Sequence, residues 1–352
     1  LKTRILIGFF FFLLLAGTTI STFGQKVEGK EEIKEKFNAN TYILEHIADS
    51  HEWHILTKKD GESVVIYLPV ILFSRETGLS IFSSKRLAHG HEYKGFKLEE
   101  EGDLKGKIVS INEAGLADEK NLPLDLSMTK TVVGMLSAAI IGLLLFLSLG
   151  LSYKKTGISH PKGIQSFLEP VILFVRDDIA IPNLGNKYER FMPYLLTVFF
   201  FILINNIMGL VPFPPPFGAN VTGNIAITFI LALCTFFVIQ FSGNKAYWKH
   251  VFATPGVPFW LLPIMIPVEL IGLFSKPFAL MIRLFANILA GHIVVLSLIC
   301  LIFIFGTLAL APVSIFFVIF MDFLELLVAF LQAYIFTLLS ALFIGMAVQE
   351  HH

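Results

Sequence analysis

Six ionisable side chains stand in otherwise apolar stretches: Glu269, Lys276, Arg283, His292, Asp322 and Glu325, with the amides Asn287 and Gln332 among them. A charge at membrane depth costs about 2.5–3.5 kcal/mol on insertion scales, so such groups face protein or a wet cavity. Arg283 is the sharpest case. It sits in Leu280-Met281-Ile282-Arg283-Leu284-Phe285-Ala286-Asn287, apolar on both sides. A guanidinium does not deprotonate in proteins, so this is a permanent cation in need of an anion. Glu269 or Glu325 would serve if the pairing is internal. No carboxylate lies beside Arg283 in sequence, which favours a counter-ion from another subunit or a substrate. At about 100° per residue, Asn287 shares the face of Arg283, while His292 points about 180° away. Glu325 and Gln332 are two turns apart and line one face. A histidine and a glutamate on adjacent helices can pass protons, because the environment tunes both towards neutral pH. A hydrogen bond that merely ties two helices together is the simpler alternative.

These residues need a membrane body to hold them, and the composition provides one. Of 352 residues 55% are hydrophobic and 15% charged, with 36 Phe and a mean hydropathy of +0.73. Disorder is excluded, and an ordinary soluble globule is disfavoured. The 27 basic and 27 acidic side chains cancel, but 34 of them lie between residues 25 and 130 and only eight between 191 and 352. The first third therefore reads as water-facing and the last half as membrane-embedded. No sizeable basic patch exists, so nucleic acid is not an expected partner. Cys234 and Cys300 both sit in apolar runs, which leaves neither a disulfide framework nor a cysteine metal site.

Residues 1–25 have the pattern of a secretory signal: Lys2 and Arg4, then an apolar run from Ile5 to Ala16, then a polar tail. An uncleaved anchor is the alternative. Residues 26–125 form the expected exported domain, opening on the charged run Lys26 to Lys36. Strand-like stretches follow at Trp53–Leu56 and Ser63–Phe73, around the turn Lys58-Lys59-Asp60-Gly61, with weaker ones at Leu79–Phe82 and Lys107–Ile111. His46, His51, His54, His89 and His91 raise the question of a metal, but their spacing favours solvated surface histidines. Residues 126–352 form the membrane domain. Apolar segments at 131–153, 193–211 and 224–241 alternate with basic loops at 154–190 and 243–250 and with a loop at 212–223 that has no Lys or Arg. The positive-inside rule places the basic loops in the cytoplasm and the uncharged one outside, in agreement with an exported N-terminal domain.

The last third is apolar almost throughout. Pro263, Pro267 and Ser275-Lys276-Pro277 predict breaks in the run from Val257 to Phe305. Helices over 277–305 and 313–348 would be about 43 and 54 Å long. A hydrocarbon layer is about 30 Å thick, so the expected arrangement is a hairpin of two long, steeply tilted helices. The predicted fold is thus an all-α polytopic membrane protein with that C-terminal hairpin, plus a small, mostly β exported domain.

The run Glu269…Ser275-Lys276-Pro277…Arg283-Leu284-Phe285-Ala286-Asn287…Ala290-Gly291-His292 resembles the signature of subunit a of F-type ATP synthase. So do Glu325…Leu331-Gln332-Ala333-Tyr334-Ile335-Phe336 and Asn206-Ile207-Met208-Gly209-Leu210-Val211-Pro212. The resemblance covers about 164–349. It implies a proton-translocating, non-catalytic subunit of the F0 sector in a bacterial plasma (inner) membrane, with its C-terminus in the cytoplasm. It also implies a c-subunit ring, b subunits and the rest of the synthase as partners, protons as the transported ion, and no cofactor. By that resemblance Arg283 is the essential arginine facing the ring. Glu269 lies near the cytoplasmic half-channel, and Asn287, His292, Glu325 and Gln332 line the half-channel from the exterior. Many bacterial members have a carboxylate where His292 stands and a histidine where Glu325 stands; here the two are exchanged. Some carry an acid at the position of Gly209.

Two other classes fit less well. A self-contained proton-coupled secondary transporter would also bury Arg, Glu and His, but such folds show internal repeats and none is evident. An intramembrane hydrolase would need a nucleophile with a base, or a motif such as H-E-x-x-H, which the membrane part lacks.

Overall fold

The computed structural model describes residues 39–348 apart from 58–62, 76, 100, 101, 103, 112–120, 157–162, 212–213, 253–257 and 306–309. The signal-like segment 1–25, the charged run Lys26–Lys36 and the turn Lys58-Lys59-Asp60-Gly61 lie outside the described residues.

Among the described residues a short helix, α1 (Ala39–Ile47), precedes seven short strands: β1 (Glu52–Thr57), β2 (Ser63–Tyr67), β3 (Pro69–Ser74), β4 (Gly78–Ser83), β5 (Phe96–Leu98), β6 (Ile108–Ser110) and β7 (Leu124–Asp125). They form an antiparallel β1–β2 pair, a β4–β3–β7 sheet and a β5–β6 pair. Ser63–Phe73 reads as one strand in sequence but divides at Leu68, whose N–H turns to the His51 carbonyl. Val70 and Leu72 alternate inward from β3 and pack with Phe82, Leu87, Phe96 and Ile108 in a small core. That is the period-2 burial a half-buried strand requires.

The rest is helical: α2 (Lys130–Thr156), α3 (Ile164–Phe174), α4 (Ile181–Leu184), α5 (Tyr188–Leu210), α6 (Ile225–Ser242), α7 (Lys245–Phe252), α8 (Leu262–Phe305) and α9 (Ala311–Val348). Among the described residues, five helical stretches are long and apolar enough to cross a membrane: 130–154, 164–210, 225–242, 262–302 and 311–348. The chain is therefore a multi-pass, all-α membrane protein with a small β-rich N-terminal region. α8 and α9 pack on each other, and α9 also packs along α5. At 44 and 38 residues they are about 66 and 57 Å long, twice the hydrocarbon thickness.

Two expectations need correction. The segment 154–190 is not a loop throughout. α3 continues through a π-helical turn, Val175–Ala180, and α4 to α5. Val175, Ile179, Ala180 and Leu184 are buried in the main core, while Arg176 and Asp177 pair at 2.7 Å on the outer side. The charges mark one face of an amphipathic helix, not an absence of helix. Second, the prolines do not break the long run: α8 continues through Pro267 and Pro277. The Ser275 hydroxyl donates to the Gly272 carbonyl at 3.1 Å beside the Pro277 gap in the ladder. Hydroxyls and neighbouring helices make such gaps tolerable in membrane helices.

The β region is tied to the helices at one end of the bundle. Trp53 packs on Ala219 and Val221 of the α5–α6 connection. The Thr131 N–H at the start of α2 donates to Asp49 Oδ1 at 3.0 Å, a cap provided from outside the helix. His51 is buried, and its Nε2 lies 2.9 Å from Asp125 Oδ2, so it is not the solvated surface histidine expected. At the opposite end the last turn of α9 receives hydrogen bonds from Lys187 and Asn244.

Candidate functional site

The polar residues sort themselves on two sides of α8. Leu280, Leu284 and Ile288 are buried in the core. Arg283 and Asn287 are exposed on the other face. Among the described residues no carboxylate pairs with Arg283 and no hydrogen bond reaches it, so Glu269 and Glu325 are not its counter-ions. Exposed Ala279, Ala286 and Ala290 flank it along the helix, which leaves a low surface around the cation.

His292 points inward. Its Nε2 stands 3.8 Å from Glu325 Oε1 of α9, and Glu325 is only 6% exposed. At that separation there is no direct hydrogen bond between the two, and Oε1 has no hydrogen-bond partner among the described residues. A small polar crevice surrounds the pair, lined by Asn205, Asn206, Gly209, Asn220, Thr222 and Ala329 among others. Asn206 Nδ2 donates to the Ala329 carbonyl at 3.3 Å, and the Thr222 hydroxyl donates to Asn206 Oδ1 at 2.6 Å. α5, α9 and the α5–α6 connection are thus joined through one amide beside Glu325. Gln332 is buried two turns further along α9.

Two glycines shape the crevice. A Cβ on Gly291 would lie 2.8 Å from Glu325 Oε1, so a larger residue there would push the carboxylate out of its present position. A Cβ on Gly209 would lie 3.8 Å from His292 Nε2. An acid at that position would aim at His292, so the smooth glycine surface leaves the imidazole to Glu325.

Glu269 is remote from this group. It lies half-exposed on α8, about 21 Å along the helix from Arg283. Its charge is felt at Tyr247 of α7, whose hydroxyl is pushed above the ordinary range first by burial and also by Glu269, against the lowering effect of its bond to Gln240. Glu269 therefore belongs to the end of the bundle where Asn244 meets α9. The structure brings together His292 and Glu325, with Gln332 along the same helix. It sets Arg283 and Asn287 on a separate surface and Glu269 apart from both. Gly291, Asn206 and Thr222 acquire their place in the site only through the packing of α5, α8 and α9. Two adjacent asparagines inside an apolar helix were the available signal. Among the described residues, no group of three or more His, Cys, Asp or Glu is arranged to hold a metal ion.

Residues 132–345 match the family model of the ATP synthase A chain, and residues 42–128 match a domain of unknown function (DUF8433). The chain is 53% identical to ATP synthase subunit a of Chloroherpeton thalassium, over 65% of its own length and 69% of the relative's. It is 51% identical to ATP synthase subunit a of Myxococcus xanthus, over 65% and 75%. It is 49% identical to ATP synthase subunit a 2 of Chlorobaculum tepidum, over 63% and 64%. With the helical body matched along most of its length by the family model and by half-identical relatives, this chain belongs to the ATP synthase A chain family.

Proposed function

We propose that the chain is the proton-translocating subunit a of an F-type ATP synthase, working against a rotating ring of c subunits beside b subunits in a bacterial plasma membrane. The observation that carries this reading is the separation on α8: an exposed, unpaired Arg283 on one side, and a His292–Glu325 pair in a polar crevice on the other. Each side meets a different need. A ring carboxylate crosses lipid only when protonated, because an ionised one is too costly there. At this subunit it meets two half-channels that do not connect. Protons enter from outside by way of His292 and Glu325, with Gln332 further along α9 and Asn287 on the Arg283 face where the proton reaches the ring carboxylate, and leave to the cytoplasm near Glu269.

Arg283 stands between the two. Its charge stabilises the ionised carboxylate as it passes and repels a proton moving directly from one channel to the other. The low flanking surface of Ala279, Ala286 and Ala290 suits close approach of a neighbouring helix. The driving force is about 2.3 kcal/mol per charge per 100 mV. The chain itself carries no ATP chemistry. Residues 26–125 form an exported domain ahead of the membrane domain 126–352, and the C-terminus lies in the cytoplasm.

Replacement of Arg283 tests the reading. Arg283→Ala is expected to abolish proton-driven ATP synthesis in vesicles containing the assembled complex. Arg283→Lys is expected to fail as well, because a lysine can lose its proton when desolvated. Full synthesis in Arg283→Ala would remove the assignment. A cysteine at position 283 is expected to crosslink to one placed at the ring carboxylate's position.

A further inference from the structure

Helix α1 lies outside the stretch matched as ATP synthase A chain, yet it packs against α8, the helix that carries His292. Its last turn holds His46, whose ring stacks on Tyr42 one turn earlier at 5.9 Å. Lys130, the first residue of α2, donates from Nζ to the His46 carbonyl at 3.3 Å, and its backbone N–H donates to the Ser50 carbonyl at 2.9 Å. With the Asp49 cap on Thr131, these bonds fix the end of α1 beside the start of α2. In that position His46 and Lys130 both lie within electrostatic reach of His292. From α1 inward, three groups form a gradient of access: the His46 side chain is exposed, His292 is 22% exposed, and Glu325 is 6% exposed with an oxygen that has no hydrogen-bond partner among the described residues.

We infer that His46 is the outermost proton-relay residue on the route to His292 and Glu325, so that the N-terminal domain forms the mouth of the outer half-channel. This rests on the half-channel reading above. An external proton is taken up at one ring nitrogen of His46 and a proton leaves the other nitrogen towards His292; this leaves the other neutral tautomer, and a flip of the exposed ring restores the starting state. The groups that face His46 suit brief occupancy. They are Lys130 of α2 with Asp49 beside it, His54 of β1, His292 of α8 with Glu325 of α9 behind it, and Tyr42 on its own helix. Surrounding protein withdraws water from part of the ring, and Lys130 and His54 add repulsion, so His46 is held below the usual histidine range. A proton that arrives there moves on and does not accumulate.

The test uses the assembled complex in vesicles, with proton flux through the membrane sector and proton-driven ATP synthesis measured against external pH. His46→Gln keeps the side chain's bulk without a titratable nitrogen. It is expected to lower flux severalfold, to remove a titration from the acidic side of the pH profile, and to recover when imidazole is added outside. Lys130→Met leaves His46 in place and is expected to move that titration to higher pH, which provides a second reading should His46→Gln complexes assemble poorly. Wild-type flux and pH profile in both variants overturn the relay. So does a loss in His46→Gln that imidazole does not restore and that leaves the profile's shape unchanged, since that is the mark of a packing role. Arg283→Ala run in parallel separates the two readings: normal coupling there sinks the half-channel assignment, whereas a dead Arg283→Ala beside a wild-type His46→Gln sinks only the relay.

Discussion

A fixed cation and a titratable pair place different demands on one helix. The cation must face a partner that comes and goes, so it stays on the surface; the pair must be shielded to feel each other, so it turns inward. The step of nine residues from Arg283 to His292 achieves both, because that spacing is half a turn out of phase. The pair can be tested by exchange. His292→Glu combined with Glu325→His is expected to restore more ATP synthesis than either single change, with a coupling of about 0.5–3 kcal/mol in a double-mutant cycle. Additive losses would show that the two act separately. The exchange of acid and base was legible from sequence through the family resemblance. The 3.8 Å approach, and the glycine at 291 that makes room for it, were not.

At the scale of elements, close approach between helices and clamps at their ends hold the site in place. A Cβ on Gly345 of α9 would run into the Asn183 carbonyl at the end of α4, a backbone atom that cannot swing away. Gly345→Ala is expected to destabilise the protein by about 1–3 kcal/mol through overpacking, seen as a lower midpoint of thermal unfolding in detergent. Gly150→Ala on α2, where a Cβ meets nothing within 4 Å, is expected to be neutral or to stabilise by about 0.5–1 kcal/mol. The β region has its own clamp at Asp125. Burial tends to raise its carboxyl, but the bonds from His51 and Ser127 outweigh that and hold it below the ordinary carboxylate range. A depressed carboxylate contributes stability above its unfolded value of about 3.9, and the contribution is lost as pH falls through the folded value. Hydrogen-exchange protection of the Leu126 amide, bonded to the Ile71 carbonyl at 2.9 Å, is therefore expected to fall below about pH 4. Asp125→Asn is expected to weaken protection at neutral pH and flatten that dependence; an unchanged acid profile in the variant would rule the clamp out.

The molecule as a whole has two unlike ends. One carries the β region, seated on the α5–α6 connection through Trp53. The other gathers Lys187, Asn244 and the end of α9. The proposed orientation puts the first outside and the second in the cytoplasm, as the distribution of Lys and Arg demands. With Cys234 and Cys300 replaced by Ser, Lys107→Cys is expected to react with a membrane-impermeant maleimide added to intact cells. Lys249→Cys is expected to react only after permeabilisation. The reverse pattern would invert the topology.

Hydropathy, charge distribution and a handful of charged residues in apolar runs were enough to read a multi-pass helical body, a β-rich N-terminal region and the family. Those are one-dimensional properties: transfer free energy adds residue by residue, and helical phase follows from a constant 100° step. Phase alone also sets Arg283 and His292 on opposite faces of one helix. What it could not decide was which helices meet. That the α5 asparagines reach Ala329 and Thr222, that α1 lies against α8, and that His51 is buried on Asp125 are contacts between distant positions. They depend on how several faces pack together, and a spacing rule along one helix carries no information about its neighbours. The π-helical turn and the unbroken α8 belong to the same class. Burial of Val175 and Ile179 in the core, and burial of Leu280 and Leu284 just past Pro277, outweigh local propensities that pointed to a loop and a break.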